Sequence, residues 1–282
     1  MQPALHKKRW IVTQLAENWK SIGFNHPEIA RVNVLGVGIS AINMDDAVRL
    51  SDLLLQSKQQ GYICVTGVHG IIEAQSDPQF RRILNSSFVT TPDGMPTVWV
   101  GRFQGHHSMR RVYGPDFMIE LCRLSVERGY KHFLYGGKKG IAERLAATLA
   151  ELVPGVEVVG TFTPPFRPLR AEEEAELIAR VRKTQPDILW VGLSTPKQER
   201  FMAEYLSRLD AILMVGVGAG FDIHIGAVRD APRWTKSAGL QWLHRLIQEP
   251  RRLWKRYLLN NPRFAWNVAL QLLGLRKFTL EA

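Results

Sequence analysis

Short runs of consecutive apolar residues alternate with stretches whose apolar positions recur every three or four residues. "RVNVLGVGIS" predicts a strand, and "MDDAVRLSDLLLQSKQQ" a helix with Ala47, Leu50, Leu54 and Leu55 on one face. "GYICVTGV" predicts a second strand, "DPQFRRILNSS" a short helix, and "SFVTTPDG" a strand that runs into a turn. In "GPDFMIELCRLSVERG" the apolar positions Phe117, Leu121 and Leu124 again fit a helix. "KHFLYGG", "VEVVGTF", "DILWVGLS" and "AILMVGVG" follow as strands, separated by "KKGIAERLAATLAEL", "EEEAELIARVRKTQ" and "PKQERFMAEYLSRL" as helices. The strands do not alternate apolar with polar, so they are expected to be buried on both faces. That pattern predicts an α/β domain around a mainly parallel sheet.

Charge then changes the picture of the last fifth. Net charge is +11, and residues 229–277 hold eleven Lys or Arg against Asp230 and Glu249, so +9 sits there. Four of the eight tryptophans, Trp234, Trp242, Trp254 and Trp266, lie in the same stretch. We therefore expect three parts: an extension over 1–30, an α/β body over 31–228, and a basic, Trp-rich appendage over 229–282. In "LQWLHRLIQEPRRLWKRYL", Leu240, Leu243 and Leu246 or Ile247 share one face between basic residues. Such a helix suits an anionic bilayer surface, and "RFAWNVALQLLGL" reads as a second amphipathic piece. A helix docked on the body is compatible with this, and self-association through the tail stays open. The rival is a nucleic-acid-binding α/β protein, since basic residues interleaved with aromatics suit single strands; no nucleic-acid motif supports it. Cys64 and Cys122 are far apart and outside any CxxC spacing, so neither a disulfide framework nor a thiolate metal site is expected. With no signal-peptide core and no apolar run long enough to span a bilayer, the expected location is cytosolic, at most peripheral to the membrane.

In parallel sheets, ligands bind beyond the carboxyl ends of the strands, and unusual residues collect there. "FLYGGKKGIAERL" places Gly136, Gly137 and Gly140 with Lys138 before a helix, either a tight βα turn or a phosphate cradle. In "WVGLSTPKQER", Lys197, Gln198 and Glu199 form the first turn of a helix, either a solvated turn or one whose Lys197 and Gln198 face phosphate or sugar hydroxyls. Asp222 follows "MVGVGAGF", as a helix cap or a ligand for a nucleoside. "TTPDGMPTVW" holds a lone acid, Asp93, in a turn where Pro92 fixes φ and Gly94 permits an unusual dihedral. By itself that stretch fits an Asx-turn. Against a nicotinamide-dependent oxidoreductase, there is no GxGxxG with an acid following it.

"TPDGMPTVW", "RVYGPD", "FLYGGKKG", "GTFTPPFRP", "PDILWVGLSTPKQER", "GVGAGFDIHIGAVRDAPRW" and "GLQWLHRLIQEPRRLWKRYL" occur in this order. Together they resemble the WecG/TagA/CpsF family of bacterial glycosyltransferases, over about residues 32–275. The resemblance implies a Rossmann-like domain with helices on both faces and a helical appendage that meets the membrane and completes the active site. It implies inverting, metal-independent transfer from a UDP-sugar to a lipid-linked saccharide in surface-polymer assembly, at the inner face of the cytoplasmic membrane.

The residues agree with a metal-free reaction so far as sequence goes: no DxD pair occurs. Without a metal, cations and backbone amides must neutralise the leaving diphosphate. The family's motif arginine falls on Arg111, and its tail arginines on Arg245, Arg252 and Arg256; the Gly136–Gly140 turn is the backbone candidate. Inverting displacement needs one base for the acceptor hydroxyl, and the family's aspartate for that role falls on Asp93. Thr66 and Gln198 match family residues expected to position donor or acceptor hydroxyls. Where many members carry an asparagine near "VTGVHG", this chain has Gly67 and His69.

Overall fold

The computed structural model describes residues 29–280. Residues 1–28 of the expected N-terminal extension lie outside that range. Six parallel strands form the central sheet: β3 (Gly61–Thr66), β4 (Val89–Pro92), β5 (Lys131–Gly136), β6 (Glu157–Phe162), β7 (Ile188–Gly192) and β8 (Leu213–Gly216). Their order across the sheet is β4-β3-β8-β7-β5-β6. The fold is α/β, Rossmann-like, with helices on both faces.

Alternate side chains of each inner strand enter two separate cores, which is why the strand sequences run apolar without a break. On one face Cys64, Tyr135, Val191 and Met214 meet α2 (Val68–Ser76), α3 (Pro78–Asn85), α7 (Ala171–Thr184) and α8 (Lys197–Tyr205). On the other, Ile63, Leu134, Trp190 and Val215 meet α1 (Met44–Ser57), α5 (Gly114–Arg128), α6 (Ile141–Leu152) and the short α9 (Gly220–His224). Helix α1 starts at an Asn43 capping box that Asp46 completes, and buries the four apolar positions its spacing predicts. Both cysteines are buried and unpaired.

Two segments depart from the sequence expectation. "RVNVLGVGIS" is not one strand but a hairpin of β1 (Arg31–Val34) and β2 (Val37–Ser40), turned by Leu35 and Gly36 at φ 54° and 82°. Two positive φ values make the tight hairpin that matches strand twist. The second departure is in the tail. After α10 (Arg233–Ser237) and α11 (Gln241–Gln248), "RFAWNVALQLLGL" is no separate piece. It continues a 23-residue helix, α12 (Pro250–Leu272), with Pro262 inside it. Proline removes one ladder bond, and the burial of Leu253 before it and of Phe264 and Val268 after it holds both halves in line. Phe264 and Val268 enter the same core as α2, and Gln271 Nε2 donates to the Asn33 carbonyl of the hairpin at 2.9 Å. The tail thus crosses the carboxyl edge of the sheet and ends on the first strand.

Candidate active site

A cleft of about 1580 Å³ follows the carboxyl edge of the sheet, roofed by α10 to α12. The helix α4 (Met95–Phe103) opens beside it, and Asp93 sits between β4 and that helix. The Asp93 N–H donates to the Thr66 carbonyl at 3.1 Å, and the Val112 N–H to the Pro92 carbonyl at 2.9 Å. Those bonds register β3, β4 and the "RVYGPD" stretch against one another. Gly94 is extended, with φ −107° and ψ 142°, so it supplies no unusual dihedral, and the Asx-turn explanation of Asp93 loses its premise. Gly94 instead lets α4 begin.

The Asp93 carboxylate has one oxygen, Oδ1, buried without a hydrogen-bond partner. Arg111 Nη2 lies 3.6 Å from it. Burial raises the carboxyl above its ordinary range, while Arg111, the Gly114 N–H and Arg245 pull it back. Arg111 itself is clamped. Its Nε donates to the Asp93 carbonyl, its Nη2 to Gln241 Oε1 of α11, and its guanidinium lies 4.3 Å from the Tyr113 ring centroid. Tyr113 donates to Asp230 Oδ1 at 2.9 Å, and Asp230 also holds Lys236 of α10. The tail is therefore bonded to the group that faces the carboxylate.

Beyond Asp93 the cleft is lined by Arg245, Arg252 and Arg256. Glu249 pairs with the first two. Arg256 has no carboxylate within ion-pair distance among the described residues. Burial and the fields of Arg245 and Arg252 lower its guanidinium, while Tyr257 and Glu199 oppose them. The Nε atoms of Arg245 and Arg256 are both buried without partners. Three guanidinium groups with two unpartnered Nε donors have the chemistry to hold a multiply charged anion.

The other predicted residues scatter along the edge. Thr66 ends β3 under the cleft floor, 2% exposed, with Oγ1 unpartnered. Gln198 spends its amide inside the protein: Oε1 accepts from the Gly218 N–H at 2.9 Å, and Nε2 donates to Glu199 Oε1 at 3.0 Å. It braces the β8 turn against α8. Gly137, Lys138 and Asp222 line the cleft; Gly136 and Gly140 do not. The Gly137 N–H is already given to the Gly192 carbonyl at 3.0 Å, and a Cβ on Gly136 would lie 2.6 Å from that oxygen. The glycines of this turn serve close strand-end packing. Four strand spacings, about 19 Å, separate β5 from β4, so the turn is not brought to Asp93.

Two residues named in the sequence were given no part in the site there. Glu199 is 1% exposed, not part of a solvated turn; it accepts from Thr195 Oγ1 at 2.8 Å and leaves Oε2 buried and unpartnered. Burial raises its carboxyl. His69 lies 3.0 Å through Nδ1 from Asn260 Nδ2 of α12, and burial with Arg256 nearby lowers its pKa to about 4, so it is neutral at physiological pH. Among the described residues no three His, Cys, Asp or Glu side chains gather as metal ligands, and no helix is long and apolar enough to cross a membrane.

The model of the glycosyl transferase WecG/TagA/CpsF family matches residues 32–278. The chain belongs to that family. It is a glycosyltransferase. The chain is 28% identical over 195 residues to an N-acetylglucosaminyldiphosphoundecaprenol N-acetyl-beta-D-mannosaminyltransferase of Bacillus subtilis (strain 168), covering 69% of this chain and 73% of the relative. It is 27% identical over 196 residues to the protein of the same name from Bacillus spizizenii, covering 70% and 74%. The family match runs through α12 and past it to Phe278, whose carbonyl accepts from Asn33 Nδ2 at 2.7 Å. The basic tail of this WecG/TagA/CpsF member thus belongs to the family's own span.

Proposed function

We propose that the protein moves a hexose or N-acetylhexosamine-type sugar from a UDP-sugar to a polyprenyl-diphosphate-linked saccharide. Transfer inverts the anomeric centre, needs no metal ion, and serves cell-surface or exopolysaccharide synthesis. The carrying observation is the half-buried Asp93 carboxylate, one oxygen unpartnered, facing Arg111 and Arg245. Both relatives are named for an acceptor of the lipid-diphosphate class, which supports the same class here.

In this reading Asp93 takes the proton of the acceptor hydroxyl as that oxygen attacks the anomeric carbon and the bond to the UDP oxygen breaks. The departing diphosphate is one oxygen away from that carbon, so its counter-charges must lie near Asp93. Arg111, Arg245, Arg252 and Arg256 fit this requirement, and the glycine turn at β5 does not. Gly137, Lys138 and Asp222 then face the nucleoside end, further along the edge. Thr66 and Gln198 act by shaping the floor. The test is a UDP-release assay across UDP-sugars with a short-chain lipid-linked acceptor. UDP release dependent on both substrates and unchanged by EDTA is expected; a rate abolished by EDTA and restored by a divalent ion would sink the metal-free part.

The acceptor class requires contact with a bilayer surface. Ile247 (72% exposed), Trp254 (47%) and Leu258 (57%) project from α11 and α12 among Arg251 and Lys255, which suits an anionic membrane. Ile247→Asp together with Trp254→Ser should cut sedimentation with phosphatidylglycerol-containing vesicles several-fold. Undiminished sedimentation would remove α11 and α12 from the docking surface.

A further inference from the structure

The cleft extends past the arginines. From Asp93 it continues as an arm between α4 and α12, lined by Trp99, Val100 and Phe103 on one side and Ala265, Val268 and Leu272 on the other. A shared acceptor ties the two helices at the far end: Gln104 Nε2 and Gln271 Nε2 both donate to the Asn33 carbonyl, at 2.8 and 2.9 Å. At the near end α4 starts two residues after Asp93, and Asn260 of α12 meets His69. Nine residues of α4 give the arm a length of about 13 Å. Its floor is buried, with Val100 4% and Val268 9% exposed, while its rim is open, with Trp99 49% and Phe103 72% exposed. Arg102 and Arg263 sit on the same helices but do not line it, and no charged residue of either helix between 94 and 104 or 262 and 272 does.

We propose that this arm holds the first isoprene units of the acceptor's lipid carrier. The inference rests on the reading of a polyprenyl-diphosphate-linked acceptor and adds where its hydrocarbon lies. A second saccharide is a poor occupant, because its hydroxyls would be buried against alkyl and aromatic groups without hydrogen-bond partners. A hydrocarbon chain loses nothing there and gains by leaving water. The arm leaves the cleft on the Asp93 side, so that with the acceptor's saccharide and diphosphate in the cleft beside the carboxylate and the arginines, the hydrocarbon that follows them runs on into it. Its exposed rim carries the large apolar side chains of Trp99 and Phe103, through which a chain anchored in a bilayer enters without crossing polar surface.

The test compares N-acetylglucosamine diphosphate acceptors bearing a methyl, a geranyl or a farnesyl group. All are used below their micelle concentrations and without vesicles, so that membrane docking plays no part. kcat/KM from UDP release should favour the prenyl acceptors over methyl by at least about tenfold, mostly through KM. Ala265→Trp, which fills the arm, and Phe103→Ser, which strips its exposed rim, should each cut that ratio several-fold. Phe166→Ser, at the opposite end of the cleft, should leave the ratio alone. Equal use of methyl and prenyl acceptors by the wild type, or an unchanged ratio in both arm variants, overturns the proposal and leaves the proposed transfer standing. No UDP release with any acceptor would instead remove the transfer reading, and this inference with it. Phe103 is largely exposed, so its replacement keeps the test open even where the bulkier change at Ala265 disturbs packing.

Discussion

Asp93→Asn is expected to lower kcat for sugar transfer by about 10²- to 10⁴-fold, the span that loss of a general base costs. The donor KM should change far less, because the diphosphate is met by guanidinium groups and not by the carboxylate. Asparagine keeps the shape of the side chain and leaves the two backbone bonds of that residue intact, the N–H to Thr66 and the carbonyl from Arg111. It removes only the ability to take a proton. Stability should move the other way. Burial raises the folded carboxyl above its unfolded value, so the folded state holds its proton to higher pH than the unfolded chain does. Stability therefore falls as pH rises from the unfolded carboxylate range near about 4 through the higher folded pKa, and above it the ionised group is a cost that asparagine removes. The variant should melt at the wild-type temperature or above it. Single-turnover kinetics and thermal melts check the pair of effects. A rate within about threefold of wild type would remove Asp93 from the chemistry, and a lower melting temperature would contradict its account as a half-buried, under-solvated charge.

Much of the fold was legible because its local signals agree with the global packing. Asn43 with Asp46 marks the start of α1, and Ala47, Leu50, Leu54 and Leu55 mark its buried face. The uninterrupted apolar strands declared a sheet covered on both sides. What failed was set by contacts between distant residues. Leu35 and Gly36 take positive φ without the Asn-Gly or Asp-Gly pair that advertises such a turn; Leu35 is held there by complete burial and by a bond from its N–H to Gln271, 236 positions away. Pro262 reads locally as a break, and the buried positions on both sides of it in α12 override that.

The site divides in the same way. Asp93, Arg111 and the tail arginines were legible as candidates through motifs, each a short string with its own residue types. Gln241 and His69 gave no such signal as site residues, since what matters is a partner 130 positions away for the first and 191 for the second. Glu199 was visible but misread, because a carboxylate in the first turn of a helix is usually solvated and favoured there by the dipole. Only the packing of α8 beneath the cleft shows that it is buried. The glycine turn was overvalued for a related reason: its composition suits a phosphate, and only the strand order places it four strands from the acid.

Arg111→Gln should lower kcat/KM by about 10²- to 10³-fold, the cost of removing one preorganised group from developing negative charge. It should also shift the acidic limb of the kcat profile to higher pH. The direction follows from the forces on Asp93: burial pushes its carboxyl up, and Arg111 is the first of the groups that pull it down. Without that cation the carboxyl holds its proton longer, so the base is available only at higher pH. Lysine should rescue poorly. Arg111 reaches the Asp93 carbonyl through Nε and Gln241 through Nη2 at once, and a point charge on a flexible stem cannot make that fork. A residue that merely pinned α11 through Gln241 would lose rate when replaced, but its loss would leave the limb where it was. Gln241→Ala separates the two roles, since it breaks the bond to the tail while keeping the cation beside the carboxylate. If Gln241→Ala moved the limb as far as Arg111→Gln does, the arginine would be a strut; a limb that moves only when the charge is removed assigns it to the chemistry of Asp93.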